Sequence, residues 1–321
     1  MRARLVLAVC GAIVFGGLAA AQGAGGKRLN PMIELHQQKK PIFGLYAPAN
    51  SRGIRGAPQV GTPKTPEELA KAALGFNKAD FLFDGSMEYG VDRSIGLFTE
   101  FVNAMTDAGS PEARWQRPLV LKTPRIAPDP AKAVENISRQ LNLGATTIVF
   151  VGVESADEVK TGLAAMRFKS KGGTRTEDVG TAPKYWGMTE QQYRDKADLW
   201  PLNPNGELTN WTIVESKEGL KHVREIAAVK GISVLFPGAG TLRGVFTTVG
   251  ADGQRAIDEA AWEAAIQQVL AACKEFNVPC GYPATDKDIE MRMKQGFSVF
   301  VSTWTESGLK AVDVGRSAAG R

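Results

Sequence analysis

The chain is predicted to fold as an α/β protein, a (β/α)₈ TIM barrel with an N-terminal pre-barrel helix and a C-terminal tail helix. Three observations predict it. Eight short apolar segments recur along the 321 residues, each separated from the next by a helical pattern. The segments are β-branched and almost continuously apolar, as strands buried on both faces must be. No Gly-rich phosphate turn follows the first of them, which removes the support for an open doubly wound sheet, and eight βα units close most simply into a ring.

The elements follow in order. Asn30-Pro31 reads as a cap and first helical residue, opening a short helix before the barrel. The first strand spans 42–47. Thr65-Pro66-Glu67-Glu68 is a capping box that opens a helix to 74. A second strand covers 80–83. Asp92 is read as the cap of a helix whose stripe is Ile95, Phe98, Val102 and Met105. The third strand is 119–122, followed by a helix from Asp129-Pro130 that Gly144 stops. The fourth strand is 147–151, and Ser155 with Glu158 opens the next helix. Strand 211–214 and a helix to 227 come fifth, strand 232–236 and a turn at 238–244 sixth. Asp258 caps a long helix to 276, strand 278–282 is seventh, Thr285 and Asp288 cap a helix that ends at Gly296, and 297–301 is the eighth strand.

Residues 167–208 break this rhythm with a polar stretch holding Tyr185, Trp186, Tyr193 and Trp200. A connection of that length reads as a lid or binding element, or as an aromatic-pinned excursion used in subunit contact. The domain plan is therefore a leader at 1–21, a spacer and pre-barrel helix at 22–40, the barrel at 41–303 and a tail at 304–321.

The leader is a secretory signal by pattern. Arg2 and Arg4 precede an uncharged run from Leu5 to Ala20, and Ala19 and Ala21 stand at the −3 and −1 positions of a small-residue cleavage site. The run is short for a spanning helix, so the expectation is an exported, periplasmic or secreted protein with no membrane segment left after cleavage. Cleavage removes two of the 39 Lys and Arg, leaving 37 against 34 Asp and Glu, a net +3. Basic and acidic residues alternate along helices such as 217–225, the mark of a solvated face, so nucleic acid is excluded as a partner. Cys273 continues the apolar stripe of Trp262, Ile266 and Val269, and Cys280 lies at a strand; they read as two buried thiols in preference to a bridge, although export permits one.

Chemistry in such a barrel comes from the C-terminal strand ends. These ends carry Asp84 to Tyr89, Lys122 and Arg125, Gly152 to Glu154, Glu215, Pro237 to Arg243, and Tyr282 to Thr285. Lys122 and Arg125 point to a small anionic substrate held through its carboxylate; a solvated rim is the bland alternative. A desolvated Lys122 would also serve as a Schiff-base amine. Glu215 is placed to ligate a hard divalent ion, to move a proton, or to pair with a lysine. Gly238-Ala239-Gly240 offers backbone amides to an anion or simply makes a tight turn. The chain has only two His, His36 before the barrel and His222 on a helix flank, and it has no Ser-His-Asp set, zinc spacing or phosphate loop.

Beyond this reading, the chain resembles the HpcH/HpaI aldolase/citrate lyase family in ordered segments over residues 30–304. They are Asn30-Pro31 with Pro41 to Leu45, Asp80 to Gly85, Pro118 to Pro124 with Asp129-Pro130, Glu154 to Glu158 through Arg167, and Val214-Glu215-Ser216-Lys217-Glu218-Gly219-Leu220. Residues 232–240 and Gln295 to Val301 complete the set. The resemblance implies a lyase that cleaves 2-keto acids, often releasing pyruvate, or acts on related acyl-CoA substrates. It implies a divalent metal, Mg²⁺ or Mn²⁺, held by Glu215, and a homo-oligomer in which 304–321 is an exchange element.

Several of the family's positions are changed. The second metal ligand, an Asp, falls on Thr241; a substrate-binding Gln falls on Ile213; and the transition-state Arg falls on Lys122, which keeps charge but loses the bidentate fork. The His base falls on Tyr89 in Met87-Glu88-Tyr89-Gly90, and its orienting Asp falls on Asn142. A phenol is a poor base near neutral pH. The expected site is therefore Tyr89, Glu88 and Lys122 as catalytic residues, Arg125, Gly240 and Thr241 on the substrate, and Glu215 on the metal. The alternative is an exported carboxylate-binding or scaffold barrel that has lost its chemistry.

Overall fold

The computed structural model describes residues 28–50, 62–251 and 253–321. The expected leader at 1–21 and most of the spacer lie outside the described residues. Eight parallel strands form the barrel: β1 (Ile42–Tyr46), β2 (Leu82–Asp84), β3 (Leu119–Thr123), β4 (Thr147–Phe150), β5 (Thr209–Val214), β6 (Val234–Pro237), then, after a small antiparallel hairpin of β7 (Thr247–Val249) and β8 (Arg255–Ile257), β9 (Gly281–Pro283) and β10 (Val299–Ser302). The sheet order runs β6-β5-β4-β3-β2-β1-β10-β9. The remaining gap is bridged where the Leu235 N–H donates to the Pro279 carbonyl at 3.0 Å and Leu235 pairs with Cys280.

Strand alternation sorts the apolar residues into two cores. Leu119, Leu121, Ile148, Phe150 and Leu235 face the helices, whereas Val120, Val149, Trp211, Ile213, Val234, Phe236 and Val299 fill the barrel interior. Glycine makes the second set fit. A β-carbon at Gly44 would lie 2.3 Å from the Phe81 ring, and one at Gly281 would lie 2.1 Å from the Phe236 ring. The helix Pro31–Gln37, capped by Asn30 onto the Met32 N–H, closes the N-terminal end with Met32 in the interior.

The caps at Thr65, Asp129, Ser155 and Asp258 are made, and Ser216 adds another; Asp288 makes no capping bond to the helix Ile289–Gln295 and accepts instead from Thr285. Asp92 is a correction. The helix begins at Val91 after Gly90, whose φ of 148° only glycine adopts without strain, and Asp92 pairs instead with Arg139. The tail helix Glu306–Ala318 packs on its own barrel: Gly315 lies against the Phe43 ring, and Arg316 and Arg321 both reach Asp80.

Two other expectations are revised. Cys273 and Cys280 form a disulfide, not two free thiols. Asn277, with φ 53°, caps the helix Glu259–Phe276 in the left-handed region and folds the chain back, bringing the two α-carbons to 5.6 Å, within bridging range. The excursion 167–208 is not a lid. It follows a helix and leads into a strand, so it lies at the N-terminal end, opposite the mouth. Trp186 donates to the Gly144 carbonyl at 2.9 Å, and Ser233 donates to the Trp200 carbonyl at 3.1 Å, both in loops that enter strands. Arg175, fully buried, lies 4.3 Å from the Phe168 ring centre and bonds Asn142 and Tyr193.

Candidate active site at the barrel mouth

A cavity of about 240 Å³ opens at the C-terminal strand ends. Lys122 of β3, Glu215 just after β5, and Gly240 and Thr241 in the turn after β6 line it together. These four residues meet where strand-end placement predicts them. Tyr46, Phe83, Val149, Trp211, Ile213 and Phe236, with Pro283 and Val301, form its apolar wall, and Pro237 to Ala239 complete the turn beside Glu215.

Lys122 donates to Glu88 Oε2 at 2.9 Å, and the two side chains are 15% and 16% exposed. Burial alone would lower the lysine pKa. The Glu88 carboxylate, by charge and hydrogen bond, and then Tyr46 and Glu215 outweigh it and hold the group above the ordinary lysine range. The ammonium therefore stays charged at neutral pH, the reverse of what a Schiff-base amine needs. The strand beneath it is held from outside, where Gln140 Nε2 donates to the Lys122 carbonyl at 2.7 Å.

Glu215 stands against Gly238. A β-carbon there would lie 2.4 Å from Glu215 Cβ and 2.5 Å from Oε2, so the carboxylate uses space that only glycine leaves. The Gly238 N–H donates to the Val214 carbonyl at 2.9 Å and fixes the two strand ends in register.

The other expected residues are dispersed. Tyr89 is 84% exposed and does not line the cavity, because the turn buries Met87 and turns Glu88 inward onto Lys122. Glu88 does not line the cavity either, but of the two candidate proton carriers it alone is linked to the mouth, through its bond to Lys122. Arg125 is drawn aside by Glu154 at 3.1 Å, whose other oxygen accepts from Ser216 Oγ at 2.7 Å. Arg243 pairs with Glu259 and lies 5.0 Å over the Trp262 ring. Asn142 caps the far end of the helix Pro130–Leu141 and bonds Asp178 and Arg175, so it cannot orient anything at the mouth. Tyr282 faces the helices, bonded by Arg292 at 3.0 Å. His36 is in the pre-barrel helix, and His222 is exposed between Glu218 and Glu225.

Sequence reasoning missed the apolar wall. Trp211 and Phe236 read as ordinary strand residues and Ile213 only as a position where the resemblance loses a substrate-binding Gln, yet Trp211 and Ile213 stand four and two places before Glu215 and must share its face. That parity was the available signal.

The family model for the HpcH/HpaI aldolase/citrate lyase family matches residues 119–302. The hydroxypyruvate/pyruvate aldolase of Paraburkholderia phytofirmans is 24% identical over 257 residues, 80% of this chain and 84% of that one. Against several other curated aldolases the chain spans 58–62% of their length. Among solved structures, an HpcH/HpaI aldolase/citrate lyase family protein from Burkholderia cenocepacia superposes with a TM-score of 0.63 at 21% identity, covering 85% of this chain and 92% of that one. The protein CitE of Mycobacterium tuberculosis, solved with magnesium and acetate, superposes with a TM-score of 0.50 at 17% identity over 88% and 92% of the two chains. With more than half its length matched by the family model and the same barrel beneath it, the chain belongs to the HpcH/HpaI aldolase/citrate lyase family.

Proposed function

We propose that this chain is an exported aldolase-type lyase that makes or breaks a carbon–carbon bond beside the carboxylate of a 2-oxo acid. The observation that carries the reading is the meeting of Lys122 and Glu215 in one cavity at the strand ends. Lys122, held cationic, binds the carboxylate and the oxygen on which enolate charge collects. Glu88, bonded to Lys122, is the proton carrier: it takes the hydroxyl proton of the aldol as the bond breaks, and the bonding pair passes to the enolate. Thr241 and Gly240 border the same anion.

The oxygen donors at the mouth fit a hydrated divalent ion of the Mg²⁺ or Mn²⁺ kind, which takes one or two carboxylates and completes its shell from water and substrate. Glu215 would hold it, with the Thr241 hydroxyl beside it. When bound, such an ion polarises the keto oxygen. Support for a location outside the cytosol comes from the leader-like start and from the Cys273–Cys280 bridge, a feature of oxidising compartments.

A second reading, a carboxylate-binding barrel without turnover, is favoured by one observation. Among the described residues no three His, Cys, Asp or Glu groups gather as a metal cluster. Both readings are tested by retro-aldol assays on 4-hydroxy-2-oxo acids, with released pyruvate detected, with and without Mn²⁺. Turnover that Glu215→Gln and Lys122→Met each abolish supports the lyase. Carboxylate binding with no turnover under any metal condition replaces it with the binder.

A further inference from the structure

The wall of the mouth cavity has a sharp division of character. Its charged lining groups are Lys122 and Glu215, both at the outer end. Below them the barrel interior is aromatic. Trp211, fully buried on β5 four residues before Glu215, lies roughly 13 Å deeper along the strand direction. Its ring stacks on Phe236 with centroids 5.3 Å apart and meets the edge of Phe81 at 4.9 Å. Its indole N–H makes no hydrogen bond within the protein. Ile213 stands between this floor and the carboxylate of Glu215.

A cavity of about 240 Å³ compares with roughly 30 Å³ for one water's share of the liquid. Trp211 and Val149 are already closed off by their neighbours, and pyruvate, held by its carboxylate at Lys122, would leave the accessible fringe of the apolar wall, at Tyr46 and Pro283 and the edges of Ile213, Phe236 and Val301, facing water. An acid with a branched aliphatic or aromatic body removes that fringe from water and gains with each buried methylene. From this division we propose that the site selects 2-oxo monocarboxylates with an apolar body, branched aliphatic or aromatic, over pyruvate and over polyhydroxylated acids. The inference rests on the reading of the mouth as the substrate site.

The test is calorimetric binding of pyruvate, 4-methyl-2-oxopentanoate and phenylpyruvate to the full chain, with tryptophan emission recorded in parallel. The two larger acids are expected to bind at least about tenfold tighter than pyruvate, and Trp211→Phe should remove the emission change while sparing most of the affinity. Ile213→Gln should erase the preference by weakening the two larger acids. Equal or tighter binding of pyruvate overturns the proposal, as does failure of both larger acids to bind with a Kd of about 1 mM or tighter. The order of affinities without cleavage of any aldol sinks the lyase reading and leaves this selectivity standing; cleavage of pyruvate adducts without the preference does the opposite.

Discussion

Gly238 provides a way to disturb the site without removing any of its groups. Its φ of −72° is open to any residue, so alanine meets no backbone penalty of sign. The obstacle is contact. An alanine β-carbon would lie 2.4 Å from Glu215 Cβ and 2.5 Å from Oε2, where nonbonded carbons settle at about 3.5–4.0 Å. Either Glu215 withdraws by ~1 Å or more, or the end of β6 moves and loses the 2.9 Å bond from Gly238 to Val214. Overpacking of this kind costs about 1–3 kcal/mol of stability, and a reacting group displaced by ~1 Å costs on the order of 100-fold in rate. Gly238→Ala should therefore fold, with a modestly lower melting temperature, and lose about two orders of magnitude in turnover. Glu215→Gln should lose as much, and the double variant no more than either alone, because both act on one carboxylate. Steady-state kinetics beside thermal unfolding reads this directly. A Gly238→Ala protein within roughly threefold of the parent rate, or a double variant whose losses multiply, would refute the claim that glycine is there to admit Glu215.

Three further outcomes follow from other contacts. Lys122→Met leaves Glu88 half-buried without its partner and should cost about 2–3 kcal/mol by urea unfolding, most of it restored by adding Glu88→Leu; carboxylate affinity should fall about 10-fold to 100-fold in both. Cys280→Ser opens a loop closed across a sequence separation of 7 and should lower stability by about 2 kcal/mol, with no change in the reduced parent protein. Burial lowers the pKa of His36 to about 4, and its Nε2 has no hydrogen-bond partner. The unfolded chain then binds the extra proton between about pH 6.5 and 4, so stability present above that window is lost as pH falls through it, by as much as ~3 kcal/mol. His36→Phe keeps the stack on Trp200 and should flatten that part of the curve, whereas the exposed His222 between Glu218 and Glu225 should contribute little.

The barrel was legible because its signals are local. Most of the barrel's longer helices announce themselves through a side chain that accepts from their own first turn, and the barrel strands are apolar runs too short to be helices. Strand-end placement needs only the count of residues from those boundaries, and so the common location of Lys122, Glu215, Gly240 and Thr241 at one mouth was readable. What failed needed long-range geometry. The pairing of Cys273 with Cys280 depends on one left-handed residue, Asn277, that composition does not reveal. Likewise, the aromatic floor depends on register: Gly44 has value only because Phe81 lies beside it, and Gly281 only because of Phe236.

The turn after β2 shows how a resemblance and the physics of a chain part company. Alignment by motif puts Tyr89 where a base is expected, because motif spacing preserves residue order and says nothing of which way a side chain turns. Burial decides that. Met87 is fully enclosed under the turn and anchors it, the next residue is thrown toward the barrel axis, and the one after that is thrown away from it. Glu88 thereby meets a lysine that the same barrel has desolvated, and a carboxylate beside a desolvated ammonium is the arrangement that keeps the cation charged. The altered pair is thus internally consistent. With lysine at position 122 the chain needs a nearby carboxylate to hold its charge, and Glu88, not Tyr89, is what the fold supplies.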